Sequence, residues 1–89
     1  MVRVVFTQNI QRLVACPETE VTGATVREIL DNVFVEIPAA RSYVLDDQGH
    51  LRHHMVVFVA GRAIQDRIGL TDSVPENGEI HVMQALSGG

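Results

Sequence analysis

Three imidazoles crowd into Gly49-His50-Leu51-Arg52-His53-His54, and imidazole nitrogens are ordinary ligands for zinc or nickel. On a helix the i, i+3, i+4 spacing would gather all three. The stretch leads instead into an apolar run that reads as a strand, where His50 and His54 share one face and His53 takes the other. No second cluster supplies the remaining ligands, so no metal site is expected. Asp46-Asp47-Gln48-Gly49 has the composition of a turn, and a calcium loop would need more oxygen ligands at regular spacing. Cys16 is the only cysteine; with no matched histidine nearby it reads as a quiet small residue. Carboxylate spacing does not support acid–base work, and no catalytic residue is expected. What remains is the end of the chain, Ser87-Gly88-Gly89. Glycine has no Cβ, so its backbone can pass through a narrow channel and reacting groups can approach the carboxylate closely. A carboxylate is a poor acyl donor until one oxygen becomes a leaving group. The chain has no Walker-type loop to do this with ATP, so it would be the substrate of a second protein that does.

The elements that must position such a tail can be traced from hydrophobic periodicity. In residues 2–6, Val2, Val4 and Phe6 alternate with Arg3 and Val5, as in a half-buried strand. A weaker extended stretch between Leu13 and Val21, interrupted by Pro17, suits an edge strand or its approach. The strongest signal is helical. Thr25 can cap, Glu28 can complete a capping box, and Val26, Ile29, Leu30 and Val33 form an i, i+3, i+4, i+7 stripe. Pro38 is expected to stop anything helical, leaving residues 38–54 irregular. Met55 to Val59 reads as a central strand because both of its faces are apolar. Ala60-Gly61 turns the chain into a short strand at Arg62-Ala63-Ile64. Gly69-Leu70 falls in a crossing loop, Glu76-Asn77-Gly78 in a tight turn, and Glu79 to Met83 in the last strand. A single apolar helix stripe is most simply covered by a sheet, which predicts an α+β domain over residues 1–84. Residues 85–89 would form a flexible tail that projects clear of it and orders in a partner's cleft.

Composition narrows the setting. At 89 residues there is room for one core. The longest apolar run, Met55 to Ala60, is far short of the ~20 residues of a membrane span. The N-terminus reads as a strand rather than a signal peptide. With a single cysteine as well, a cytoplasmic chain that engages no membrane is expected. The formal charge is −4 and no basic cluster stands out, which argues against nucleic acid as a partner. All seven basic residues are arginine. Codon bias accounts for this, but a protein carrying an activated acyl end also gains from having no ε-amine to attack it.

Thr25-Val26 opening a helix through Leu30, then Val57-Phe58-Val59-Ala60-Gly61, then Asn77-Gly78-Glu79, and finally Ser87-Gly88-Gly89 together resemble the ubiquitin-like sulfur carriers. These include the thiamine sulfur carrier and the small subunit of molybdopterin synthase. The resemblance spans essentially the whole chain and implies a ubiquitin-like β-grasp fold, a mixed sheet of about five strands packed on one main helix. It further implies that the Gly89 carboxylate is adenylated by an E1-like enzyme using ATP and converted to a thiocarboxylate. The sulfur would then pass to an accepting synthase subunit, in molybdenum cofactor biosynthesis or another pathway. The chain itself would bind no cofactor. Gly88, Ser87 and Leu86 would thread the tail, with Leu86 as its apolar anchor. The family pattern differs at Ala60, where asparagine is frequent, and at Arg62, where an acidic residue often follows the glycine. It differs also at Gln84-Ala85-Leu86, often proline-containing, and in the longer 38–54 segment. Val56, Phe58, His81 and Met83 are expected on the sheet face opposite the helix as a partner surface, unless residues 38–54 fold over it. The same Gly89 would also serve a ubiquitin-like modifier that conjugates to other proteins. A β-grasp binding module with an inert tail is the third reading.

Overall fold

The computed structural model describes residues 1–7, 10 and 18–84. The alternation at the N-terminus becomes strand β1 (Val2–Phe6), with Val2, Val4 and Phe6 buried and Arg3 in solvent. It pairs antiparallel with β2 (Thr19–Val21), which occupies one edge of the sheet. This accounts for the edge position expected of the second extended stretch; the part around Pro17 lies outside the described residues. Helix α1 (Val26–Glu36) buries Val26, Ile29, Leu30, Val33 and Phe34. A short helix α2 (Pro38–Val44) follows, and then β3 (Met55–Val59), β4 (Arg62–Ala63) and β5 (Glu79–Gln84). The sheet order is β2-β1-β5-β3-β4. β1 and β5 run parallel at its centre, and β3 runs antiparallel to both β5 and β4. Val4, Phe6, Val57, Ile80 and Val82 join the α1 stripe in one core, each side chain contributing about 1.5–3 kcal/mol on full burial.

The N-terminus of α1 is held from outside the helix. Thr25 caps it, its Oγ1 accepting from the Glu28 N–H at 3.3 Å. The reciprocal bond of a capping box is displaced by one residue, because Glu28 Oε1 accepts from the Ala24 N–H at 2.8 Å. The next two free donors, Val26 N–H and Arg27 N–H, go to the carbonyls of Asp72 and Leu70 in the crossing loop. The N–H groups of Val26, Arg27 and Glu28, three of the four that lack an intrahelical partner, are therefore satisfied.

Three local expectations need correction. Pro38 ends α1 but also starts α2, occupying its first turn. That position needs no amide hydrogen, and the fixed φ of proline suits it. The segment 38–54 is therefore partly helical, and its Ala40, Val44, Leu45 and Leu51 join the buried core. His53 and His54 sit in a turn closed by Met55 N–H to Arg52 O at 3.0 Å, so the strand alternation expected of the histidines does not apply, although the strand begins at Met55 as expected. Finally, β3 is not the central strand. β5 is, and β3 has only the two-residue β4 beyond it.

Candidate functional site

β5 is the element that delivers the chain end. Each of its flanks is taken by a neighbour, Val4 to Phe6 opposite Ile80 to Val82 and Met55 to Val59 opposite Gln84 to Ile80. Its last described residue, Gln84, faces Met55 across the ladder. Gln84 therefore lies at the start of β3, beside the turn carrying His53 and His54. Leu86, Ser87, Gly88 and Gly89, assigned to the tail from the sequence, lie outside the described residues, as does Cys16.

Alternation along β5 splits its side chains as expected: Ile80 and Val82 are buried, His81 and Met83 are half-buried on the opposite face. The register brings the expected partner-surface residues together there. Met83 lies opposite Val56, and Phe58 lies opposite His81. Val5 lies opposite His81 on the other side and completes the patch. The sequence assigned Val5 only to the side away from Val2, Val4 and Phe6; its membership depends on parallel β1–β5 pairing, which no local pattern announces.

Towards β2 the same face becomes ionic. Arg3 Nε contacts Glu18 Oε1 at 2.6 Å and its Nη1 lies 3.5 Å from Glu79 Oε2. The Glu18 hydrogen bond and charge, with Glu79 and Glu20 adding, raise the Arg3 pKa further above its ordinary value. His81 Nε2 sits 3.0 Å from Glu79 Oε1, so His81 joins the two halves of the face. These groups are about half exposed, and solvent limits what such pairs contribute to stability. Their value here is as a rim: an apolar centre of Val5, Val56, Phe58 and Met83 bordered by charge.

The loops at the exit end are organised by residues that the sequence did not single out. Asp66 accepts from the Gly69, Ile68 and Thr71 amides and from the Thr71 hydroxyl at 2.6 Å. The Thr71 hydroxyl first, then these amides, hold the Asp66 carboxyl down to about 2. Arg27 reaches from α1 to the carbonyls of Gly49, Ile68 and Gly69. Arg67 donates to the carbonyls of Arg52 and Met55, each at 2.8 Å. Asp66 with Gly69 three residues on is a readable side-chain turn signal. The arginine staples join residues 12 to 42 apart and leave no local trace.

No group of three or more His, Cys, Asp or Glu residues that could hold a metal ion occurs among the described residues. His50, His53 and His54 instead line one open groove with Arg52, Arg67 and Ile68. Among the described residues no helix is long and apolar enough to cross a membrane.

The sheet order, the long helix α1 lying over one sheet face and the crossing loop that ties its N-terminus define a ubiquitin-like β-grasp protein. No protein-family model and no curated protein matches the chain. Solved structures do match it. SAMP1 from Haloferax volcanii is 25% identical, with a TM-score of 0.78 over 99% of this chain and 98% of its own. CysO in the BexX/CysO complex of Amycolatopsis orientalis is 22% identical, with a TM-score of 0.84 over the full length of both chains. CysO of Mycobacterium tuberculosis is 12% identical, with a TM-score of 0.82 over 97% of this chain and 100% of its own. The chain is thus similar over its length to ubiquitin-like β-grasp carrier and modifier proteins, as its sequence motifs suggested.

Proposed function

We propose that this chain is a sulfur carrier whose working group is the Gly89 carboxylate. The observation that carries the proposal is the match, end to end, between this fold and small carrier and modifier proteins, in a chain that finishes Ser87-Gly88-Gly89 just beyond the central strand. In the first step a Gly89 carboxylate oxygen attacks the α-phosphorus of ATP on an E1-like partner, and pyrophosphate leaves. In the second, a sulfur nucleophile at the oxidation level of hydrosulfide attacks the acyl carbon; a C–S bond forms, the C–O bond breaks and AMP leaves. The thiocarboxylate then donates its sulfur on a second partner, a synthase subunit. The chain supplies no catalytic group, and ATP is bound by the activating partner.

The parts have distinct tasks. Gly88 and Gly89 let the tail enter a channel too narrow for a Cβ, and Leu86 anchors it there. The apolar patch of Val5, Val56, Phe58 and Met83, with His81, docks the folded body, so that binding energy from the domain places the carboxylate at the ATP site. A cytoplasmic setting, where the activating partner and ATP are both at hand, fits this chemistry.

The activating enzyme co-purified from the same cell supplies the test. With this chain it should catalyse exchange of labelled pyrophosphate into ATP, and the variant lacking Gly89 should not support exchange. Exchange that is unaffected by deletion of Gly89 would rule the proposal out. The similarity to proteins named small archaeal modifier protein 1 favours a second use of the same group, transfer of the Gly89 acyl to a lysine of another protein. Adducts ending in Gly-Gly on lysine separate that use from sulfur delivery.

A further inference from the structure

Charge is unevenly placed on this molecule. Its formal charge is −4, yet the groove beside the end of β5 is basic. The open groove there, about 540 Å³, is lined by His50, His53, His54, Arg52 and Arg67, with Asp46 as its one acidic wall residue. The Asp46 carboxylate is occupied by its own turn, accepting from the Gln48 and His50 amides at 2.9 Å each. Asp66, outside the lining, is likewise occupied by the Ile68, Gly69 and Thr71 amides. Arg67 and Arg52 are held by backbone carbonyls, which fixes their charge at the groove without neutralising it. His53 and His54 are exposed on the rim, and Ile68 adds an apolar contact, 63% exposed. The formal charge of the lining is thus positive even with all three imidazoles neutral, against a negative whole.

We infer that this groove docks an acidic segment of the partner protein that receives the chain end. The proposal rests on the carrier reading for the partner's identity, but its electrostatics do not depend on Gly89. The rest of the molecule carries a net negative charge and the groove a positive one, so the groove orients the encounter of an acidic segment as well as strengthening it. That place adjoins Met55, the register partner of Gln84. A partner bound there sits beside the end of β5, while the apolar sheet face remains free for a second contact.

The test uses the full chain, isotopically labelled, titrated with a hexaglutamate peptide at low salt and followed by amide chemical shifts. Saturable shifts should be confined to residues 50–54, 67 and 68, and should fade as salt rises from about 0.01 to about 0.5 M. The double variant His53→Glu with His54→Glu should weaken binding at least about fivefold, two negative charges being introduced on the rim. His53→Ala with His54→Ala should fall between that variant and wild type, and unchanged shifts elsewhere confirm that each variant folds. Removing Gly89 should leave binding unaltered, which separates failure here from failure of the carrier reading. Absence of saturable shifts, equal binding by the Glu variant, or saturation of the same amides by inorganic phosphate at the same concentration would each overturn the proposal.

Discussion

Replacing Ala60 by asparagine should stabilise the protein. Ala60 and Gly61 are the two-residue connection between the paired Val59 and Arg62, with φ of 50° and 83°. Two positive values in a two-residue hairpin loop are the signature of a type I′ turn, whose favoured sequence is Asn-Gly. Alanine in the left-handed region costs about 1–2 kcal/mol, whereas asparagine is more tolerant because its short side chain can bond locally. Ala60 is exposed, so the new side chain meets little, and its N–H to Glu79 O, 3.1 Å, is kept. A gain of about 0.5–1 kcal/mol follows, and in a domain of this size about 2–6 °C in Tm. Ala60→Gly relieves the same strain but frees the unfolded chain by about 0.4–1 kcal/mol, and should land near wild type. Ala60→Val, β-branched at positive φ, should lose about 1 kcal/mol or more. The chain has no tryptophan, so urea unfolding followed by far-ultraviolet circular dichroism is the suitable assay. An order of Asn, then Gly with Ala, then Val at constant m-value is expected. Valine as stable as alanine, or asparagine below it, would refute the reasoning.

Thr25→Ala should cost about 1 kcal/mol through loss of the helix cap, read as a lower urea midpoint. Asp66 contributes to acid behaviour, as Asp46 does: its folded carboxyl is lowered to about 2 from its ordinary 3.8. Its contribution is therefore complete above the unfolded value and drains away as pH falls from about 4 towards about 2. Asp66→Asn should flatten that part of the stability-against-pH curve, and an unchanged slope would count against the assignment. Met83→Gln keeps the length of the side chain and the strand, and should shift stability by less than about 1 kcal/mol. It should nonetheless weaken binding to the activating partner roughly tenfold, measured by calorimetry, if Met83 lies at the centre of the docking patch.

Much of this fold could be read from local chemistry, because the features concerned are local. The Thr25 cap, the 26–33 stripe, the alternation in 2–6 and 79–83, and the turns at Asp46, Ala60 and Asn77 each occupy a few adjacent residues whose types suit only one conformation. Pro38 misled because proline at a helix start and proline at a helix stop are the same residue, and α2 buries only Ala40 and Val44, too few to show a stripe. The start of β3 at Met55 was legible from the apolar run, but the alternation assigned to His50, His53 and His54 was not realised, because a turn at Arg52 to Met55 precedes the strand. On the open face, Val56, Phe58, His81 and Met83 followed from alternation, but Val5 needed the parallel β1–β5 pairing between strands 73 or more residues apart. The basic groove was hidden for the same reason. Its arginines come from positions 52 and 67, and sequence inspection found no basic cluster because none is contiguous.

Intact-mass measurement of the protein isolated from its own cells during active sulfur metabolism bears most directly on the Gly89 carboxylate. A fraction of wild-type molecules should carry sulfur in place of one oxygen, and the form should vanish when Gly89 is deleted. Wild-type protein that carries only the unmodified carboxylate under those conditions would contradict the sulfur-carrier proposal.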